Sequence, residues 1–154
     1  MKNTYEGKWV IDTNILVYVL DLHSSHQRAA ADLFHKIYRE SIDAVVGQQN
    51  IIEAERVLVQ VYKRLPEEAI EAVSGLVTDY HLSIITPIGT TYQRFHKILH
   101  SVPHAKTVDF FDYYLAATML DNGITNIFTA NTQDFSTIPG IRAVNPFLPS
   151  RPRV

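Results

Sequence analysis

Four clusters of acids and amides stand at the ends of apolar segments: Val10-Ile11-Asp12-Thr13-Asn14, Asn50-Ile51-Ile52-Glu53, Asp109-Phe110-Phe111-Asp112 and Thr129-Ala130-Asn131-Thr132-Gln133-Asp134. Apolar segments become buried strands and helices, so their ends meet at the rim of a common core. Carboxylates gathered there repel one another unless positive charge sits between them. A divalent metal is the simplest such charge, and these side chains offer it oxygen only. Oxygen ligands suit Mg²⁺, with Mn²⁺ also accommodated. Such an ion can polarise a phosphoryl oxygen and generate hydroxide from water at neutral pH; a second ion about 3.5–4 Å away could stabilise the leaving oxygen. The chemistry indicated is metal-dependent hydrolysis of a phosphodiester.

The elements that must position these groups follow from the apolar periodicity. Lys8-Trp9-Val10-Ile11 reads as a short buried strand, followed by a helix from Ile15 to Leu20 with Thr13 or Asn14 as its cap. Ser24-Ser25 offers a cap for a second helix to about Glu40, with Ala30, Leu33, Phe34, Ile37 and Tyr38 at helical spacing. Ala44-Val45-Val46-Gly47 is a second strand, and Ile51, Ile52, Val57, Leu58, Val61 and Tyr62 mark the next helix. Pro66-Glu67-Glu68 opens another, because Pro suits a first turn and acids favour the positive end of the helix dipole. Leu82 to Thr86 is a third strand and Thr91 to His100 a helix. Thr107 is placed to cap a helix from Asp109 to Leu120, which Asn122-Gly123 stops. Ile127-Phe128-Thr129 forms a fourth strand, and Ile141 to Val144 a short fifth. Strands separated by helices imply right-handed crossovers and a mostly parallel sheet between helical layers. There is no internal repeat, low-complexity tract or linker, so the chain reads as one α/β domain over residues 1–154.

In such a sheet, ligands bind outside the carboxyl ends of the strands. Asp12 follows the first strand there, Asn131 and Asp134 follow the fourth, and Glu53 opens the helix after the second. Asp109 and Asp112, three apart, share one helix face. Each group also has a structural alternative. Asp12 could cap its helix. Glu53 could be a solvated helix acid, with Glu55 competing for its role. Asp109 could simply complement the helix dipole, and Asn131 and Asp134 could be turn residues. Asp112 is harder to set aside, since it lies between Phe111 and Tyr113 in an apolar stretch where an unpaired buried charge is costly.

Other chemistries are excluded or weakened. The chain has no Cys, which removes disulfides and thiolate metal sites. Its seven histidines are dispersed, and the His96/His100 pair lacks a third ligand. No Gly-rich phosphate loop follows a strand, and there is no Gly-x-Ser-x-Gly elbow. A glycosidase needs one acid and one base, which leaves the remaining convergent acids unexplained. The formal net charge of −2, with basic residues scattered, argues against a broadly basic nucleic-acid surface, although a metal would add charge that residue counting misses. A polar N-terminus without an apolar h-region, and no apolar run near the roughly 20 residues of a spanning helix, make the cytoplasm the expected compartment and a membrane role unexpected.

From Val10 to Pro146 the chain resembles the PIN-domain family, particularly the VapC-type toxins of bacterial toxin–antitoxin pairs. Val10-Ile11-Asp12-Thr13-Asn14 is similar to the family's opening strand and first acid, and Gln49-Asn50-Ile51-Ile52-Glu53 to its second-acid segment, which favours Glu53 over Glu55. Asp112-Tyr113-Tyr114-Leu115-Ala116-Ala117 resembles the third and Thr129 to Phe135 the fourth. The resemblance implies a PIN-like three-layer α/β/α sandwich with a mostly parallel four- to five-stranded sheet. It also implies an Mg²⁺-dependent endoribonuclease that cleaves RNA with metal-activated water. Asp12, Glu53, Asp112 and Asp134 would be its metal ligands and catalytic residues. Asn131, Thr13, Asn14 and Asp109 would support them or the substrate, and Asn131 departs from relatives carrying an acid there. The implied partners are RNA, a second copy of the chain and a small antitoxin. Leu33, Ile37, Val57 and Val61 are candidate contacts for the latter two, with core packing as the alternative. A non-catalytic RNA-binding or scaffold module on the same fold, or a PIN nuclease without an antitoxin, is the competing reading.

Overall fold

The structure, a computed structural model, describes residues 5–102 and 110–148. Five strands, β1 (Lys8–Ile11), β2 (Asp43–Gly47), β3 (Ser83–Ile85), β4 (Asn126–Phe128) and β5 (Arg142–Val144), form one sheet in the order β3-β2-β1-β4-β5. Every neighbouring pair is parallel; in register, Val10 lies opposite Val45 on one side and Ile127 on the other.

Parallel strands covered on both faces must be apolar throughout, and β1 shows why this sheet is. Trp9 and Ile11 point into one core with Ala44, Val46 and Phe128, whereas Val10 points into the other with Val45, Ile85 and Ile127. The first core is covered by α1 (Thr13–Leu20), α2 (Gln27–Tyr38), α3 (Gln48–Gln60) and α4 (Pro66–Asp79). The second is covered by α5 (Thr91–Ser101) and α6 (Phe110–Asp121). This is the expected three-layer sandwich. Trp9 and Phe128 stack at 4.3 Å between centroids across neighbouring strands, and the Arg142 guanidinium lies 5.1 Å from the centre of the Trp9 ring.

Local details depart from the sequence expectations in instructive ways. The cap of α1 is Asp12 itself, not Thr13 or Asn14: its Oδ1 accepts from the Thr13 amide at 2.8 Å. Ser24 instead accepts from the His26 amide, one turn before α2 begins. Tyr38, at helical spacing with the core residues of α2, is 65% exposed, because it is the last residue of the helix, where its ring meets Tyr80 edge-on. On α3 the buried stripe is Asn50, Ala54 and Leu58, at i, i+4 and i+8, so Ile52 and Val61 fall outside it and are exposed. Leu33 and Ile37, considered as partner contacts, are core residues. Gly123 ends α6 in the left-handed region (φ 71°), and the Ile124 amide returns to the Met119 carbonyl, the stop that Asn122-Gly123 indicated. The Thr107 cap and Asp109 lie outside the described residues.

The second layer is fastened at the end of α6. The Asp121 carboxylate, almost wholly shielded from water, accepts from Thr90 Oγ1 at 3.0 Å, from Thr91 Oγ1 at 2.9 Å and from the Arg94 guanidinium. Shielding pushes its pKa up, but the bonds from Arg94, Thr91 and Thr90 together outweigh this and leave it below 3.8. A depressed folded-state pKa stabilises the fold above the unfolded value, and that stabilisation is lost as pH falls through the folded one. Asp121→Ala is therefore expected to lower stability by about 2 kcal/mol at neutral pH. The difference from wild type should shrink below pH 3.8 in denaturant titrations.

Candidate active site

The strand order reverses between β1 and β4, since the chain runs outward through β2 and β3 and then returns to the other side of β1. At such a switch point the loops leaving adjacent strands diverge and open a crevice. Asp12 leaves β1 there, and Thr129 to Asp134 leave β4, the last of these in a 3₁₀ turn over Thr132–Phe135. An open cleft of about 330 Å³ occupies the crevice. Asp12, Glu53, Asp112 and Asp134 all line it, together with Thr13, Asn14 and Asn131. Val17, Tyr18 and Val57 form its apolar wall. Thus seven of the eight residues singled out from sequence share one cavity, and the eighth, Asp109, is outside the described residues. Glu55 does not line the cleft.

Asp12 is the fixed member of the group. It is 7% exposed, and its two oxygens receive four hydrogen bonds. Oδ1 accepts from the Thr13 amide and from Asn50 Nδ2 at 3.2 Å; Oδ2 accepts from Asn14 Nδ2 at 3.2 Å and from Thr129 Oγ1 at 2.7 Å. These donors are themselves held. Asn50 Oδ1 accepts from the Gly47 amide, Asn14 Oδ1 from the Ala130 amide and Thr129 Oγ1 from the Asn131 amide. The network extends outward as Asn50 Nδ2 donates to Thr13 Oγ1, and Thr13 Oγ1 donates to Glu53 Oε2 at 3.0 Å. Gln49 Nε2 reaches the other Glu53 oxygen at 3.1 Å and the Phe111 carbonyl at 2.9 Å. The ends of β1, β2 and β4 and the start of α6 are thereby tied through one set of polar side chains. Such mutual support fixes side chains better than isolated bonds do.

Asn50 and Thr129 are the residues that sequence reasoning missed. Both are fully buried, and neither was given a role, although both stand inside the clusters quoted for their acids. The usable signal was a buried amide one turn before Glu53 on a stripe otherwise filled by Ala54 and Leu58. Asp112 also differs from expectation. It is half-buried at the first turn of α6, beside an exposed Phe111, and not sunk in an apolar interior.

Burial raises the Asp12 pKa above 3.8; the Thr129 hydroxyl and Thr13 amide oppose the rise, and the negative charges of Glu53 and Asp134 add to it. The described residues lining the cleft include no Lys or Arg. An oxygen-only set of carboxylates with an amide beside it, lacking a cation in the wall, fits a hard divalent ion. The carboxylates ring the cleft without converging: among the described residues, no three acidic or imidazole groups stand close enough to hold an ion as they are placed.

Comparisons with known proteins agree with this architecture. Among curated proteins, none matches the chain. A chain from the VapBC2 assembly of Rickettsia felis, solved bound to a DNA fragment from its promoter, superposes with a TM-score of 0.68 at 15% identity, covering 90% of this chain and 98% of that one. VapC20 of Mycobacterium tuberculosis, a toxin that cleaves the sarcin–ricin loop, gives 0.62 at 14% identity over 86% and 97% of the two chains. A toxin–antitoxin complex from Klebsiella pneumoniae gives 0.61 at 20% identity over 90% and 98%. At these identities the likeness speaks to the fold. The family itself rests on a sequence model, that of the PIN domain, which matches residues 9–141 and so spans every carboxylate of the cleft: the chain belongs to the PIN-domain family.

Proposed function

We propose that this chain is a divalent-metal-dependent endoribonuclease, the toxin of a type II toxin–antitoxin pair, working in the cytoplasm as a single domain. The observation that carries the reading is that four carboxylates from four chain segments line one cleft at the switch point of the sheet. Asp12, Glu53, Asp112 and Asp134 would hold Mg²⁺ or Mn²⁺, with Asn131 beside them. The bound ion would supply Lewis-acid polarisation of the scissile phosphate and ease deprotonation of water. Asp12 is held by four donors, so its carboxylate would already be in place to receive the ion before substrate arrives. Thr13 and Gln49 orient Glu53, and an adjacent carboxylate of the cleft takes the proton of the attacking water.

RNA as substrate is supported by the sarcin–ricin loop cleavage of VapC20, and a small antitoxin by the Klebsiella complex. Val61, exposed, and Val57, part of the cleft wall, are the surviving candidate contacts for the antitoxin or a second copy of the chain. No helix among the described residues is long and apolar enough to cross a membrane.

The test is incubation of a mixed RNA pool with purified protein in Mg²⁺ and in EDTA. Fragments are expected in Mg²⁺ alone, and excess Mg²⁺ or Mn²⁺ should restore them after chelation. Equal cleavage in EDTA would overturn the metal mechanism. Retained RNA binding without cleavage under any condition would overturn the nuclease and leave a binding module.

A further inference from the structure

The shortest bond to the Asp12 carboxylate comes from the Thr129 hydroxyl. A hydroxyl can donate or accept, so its surroundings decide which it does. Two N–H groups aim at the Thr129 oxygen, the Asn131 amide at 3.0 Å and Asn14 Nδ2 at 3.3 Å. Accepting from both leaves the hydroxyl its own proton to give to Asp12. The Asn131 amide is one end of the peptide unit between Ala130 and Asn131. The carbonyl at the other end accepts from Asn145 Nδ2 at 3.3 Å. A peptide unit is planar, so a bond that fixes its carbonyl also fixes the direction of its N–H.

Asn145 stands just after β5, half-buried, outside the cleft wall and beyond residues 9–141 that the PIN model matches. Both ends of its side-chain amide are used, because Oδ1 accepts from the Phe147 amide at 2.9 Å. Turning the amide over would set oxygen against oxygen at Ala130 and nitrogen against nitrogen at Phe147. The turn that carries it is anchored on both sides. Before it, the Val144 carbonyl accepts from the Thr129 amide at 3.0 Å. After it, the Phe147 ring stacks on His26 at 4.8 Å and meets Tyr18 edge-on at 5.6 Å. Tyr18, one turn after Asn14 on α1, belongs to the cleft wall. Resting on the nuclease reading given above, we propose that Asn145 is a positioning residue for the metal site. It orients the 130–131 peptide, which commits the Thr129 hydroxyl to donate to Asp12 and so holds that ligand in place.

The test compares Asn145→Ala and Asn145→Asp with wild type in the full chain. Asn145→Asp keeps an acceptor for the Phe147 amide, and hence the turn, but has no donor for the Ala130 carbonyl; Asn145→Ala lacks both. Two readouts need no RNA. Mg²⁺ affinity, taken from the rise in melting temperature with Mg²⁺ concentration, should weaken about tenfold in both variants, the low end for losing a group that orients a metal ligand. Hydrogen exchange of the Asn131 amide, followed by NMR without metal, should speed up in both. Exchange of the Ile124 amide, bonded to the Met119 carbonyl at the far end of α6, should not change. Asn145→Asp behaving as wild type would reduce Asn145 to a turn residue and overturn the proposal. A response in only one variant, or in only one of the two readouts, overturns it as well. If the wild type gains nothing from Mg²⁺, the nuclease reading fails, and Asn131 exchange alone decides whether Asn145 holds the peptide.

Discussion

RNA cleavage by Asp12→Asn is expected to fall about 10³-fold with the fold intact, whereas Asp12→Ala should lose both activity and stability. The first figure is typical for removing one preorganised member of a catalytic electrostatic set. The contrast between the variants follows from the four donors around the carboxylate. In Asp12→Asn the amide oxygen can still accept from the Thr13 amide and Asn50, whereas the nitrogen in place of Oδ2 faces the Asn14 amide and a Thr129 hydroxyl that already accepts from the Asn131 amide and Asn14, so both bonds on that side are lost. That loss is offset because a buried charge has been removed. In Asp12→Ala all four donors lose their acceptor, and unsatisfied buried groups cost about 1–3 kcal/mol each. Thermal unfolding of both variants with and without Mg²⁺ checks this: Mg²⁺ should raise the wild-type melting temperature and leave that of Asp12→Asn nearly unchanged. The metal-free comparison carries a pH signature as well. A folded-state pKa raised above 3.8 means that the folded protein holds the proton longer than the unfolded one. Wild-type stability should therefore decline relative to Asp12→Asn as pH rises through the folded value, and level off above it. A wild type that gains on the variant over that range would contradict the assignment of burial as the cause.

Gly47→Ala is expected to be the most damaging single methyl group in the protein. A Cβ at this position would lie 2.6 Å from Asn50 Oδ1 and 3.1 Å from the Leu115 side chain. Gly47 is extended (φ −75°), so backbone freedom is not what requires glycine here; space is. The Asn50 amide cannot retreat without releasing the Gly47 amide, Asp12 and Thr13 together. Overpacking of this kind costs about 1–3 kcal/mol, and the lost buried hydrogen bonds add to it, for a total of about 3 kcal/mol. Cleavage should drop along with stability, by about 10–100-fold, the range for removing the group that orients a metal ligand. Chemical denaturation and initial rates on one RNA substrate measure the two effects. The informative companion is Asn50→Ala in the Gly47→Ala background: with the amide gone, the added methyl has room, so the second substitution should restore part of the stability and none of the activity.

Much of this was legible because it depends on pattern. Trp9, Val10 and Ile11 are apolar without alternation, which is what a strand buried on both faces requires, and the order of strands and helices then placed Asp12 and Asp134 at one edge. What was not legible depends on direction and on neutral groups. Asn50 and Thr129 carry no charge and match no ligand pattern, yet they hold the central carboxylate. Tyr38 and Ile52 sit at positions that helical spacing would assign to a core, but a helix end and a stripe shifted by a buried asparagine put them in water. Asp112 looked interior because its sequence neighbours are aromatic. Phe110 and Phe111 are exposed in the structure.

The bond between Thr129 and Asp12 joins residues 117 positions apart. During synthesis, the Asp12 carboxylate is made first and must wait for more than a hundred further residues before β4 can dock beside it. Nascent chains that have passed Glu53 but not reached Thr129 hold two of the cleft's acids and neither Thr129 nor Asp134, so the cleft does not yet exist. If the mature protein cuts RNA, the ribosome producing it is shielded from that activity by topology until Thr129 and Asp134 have emerged.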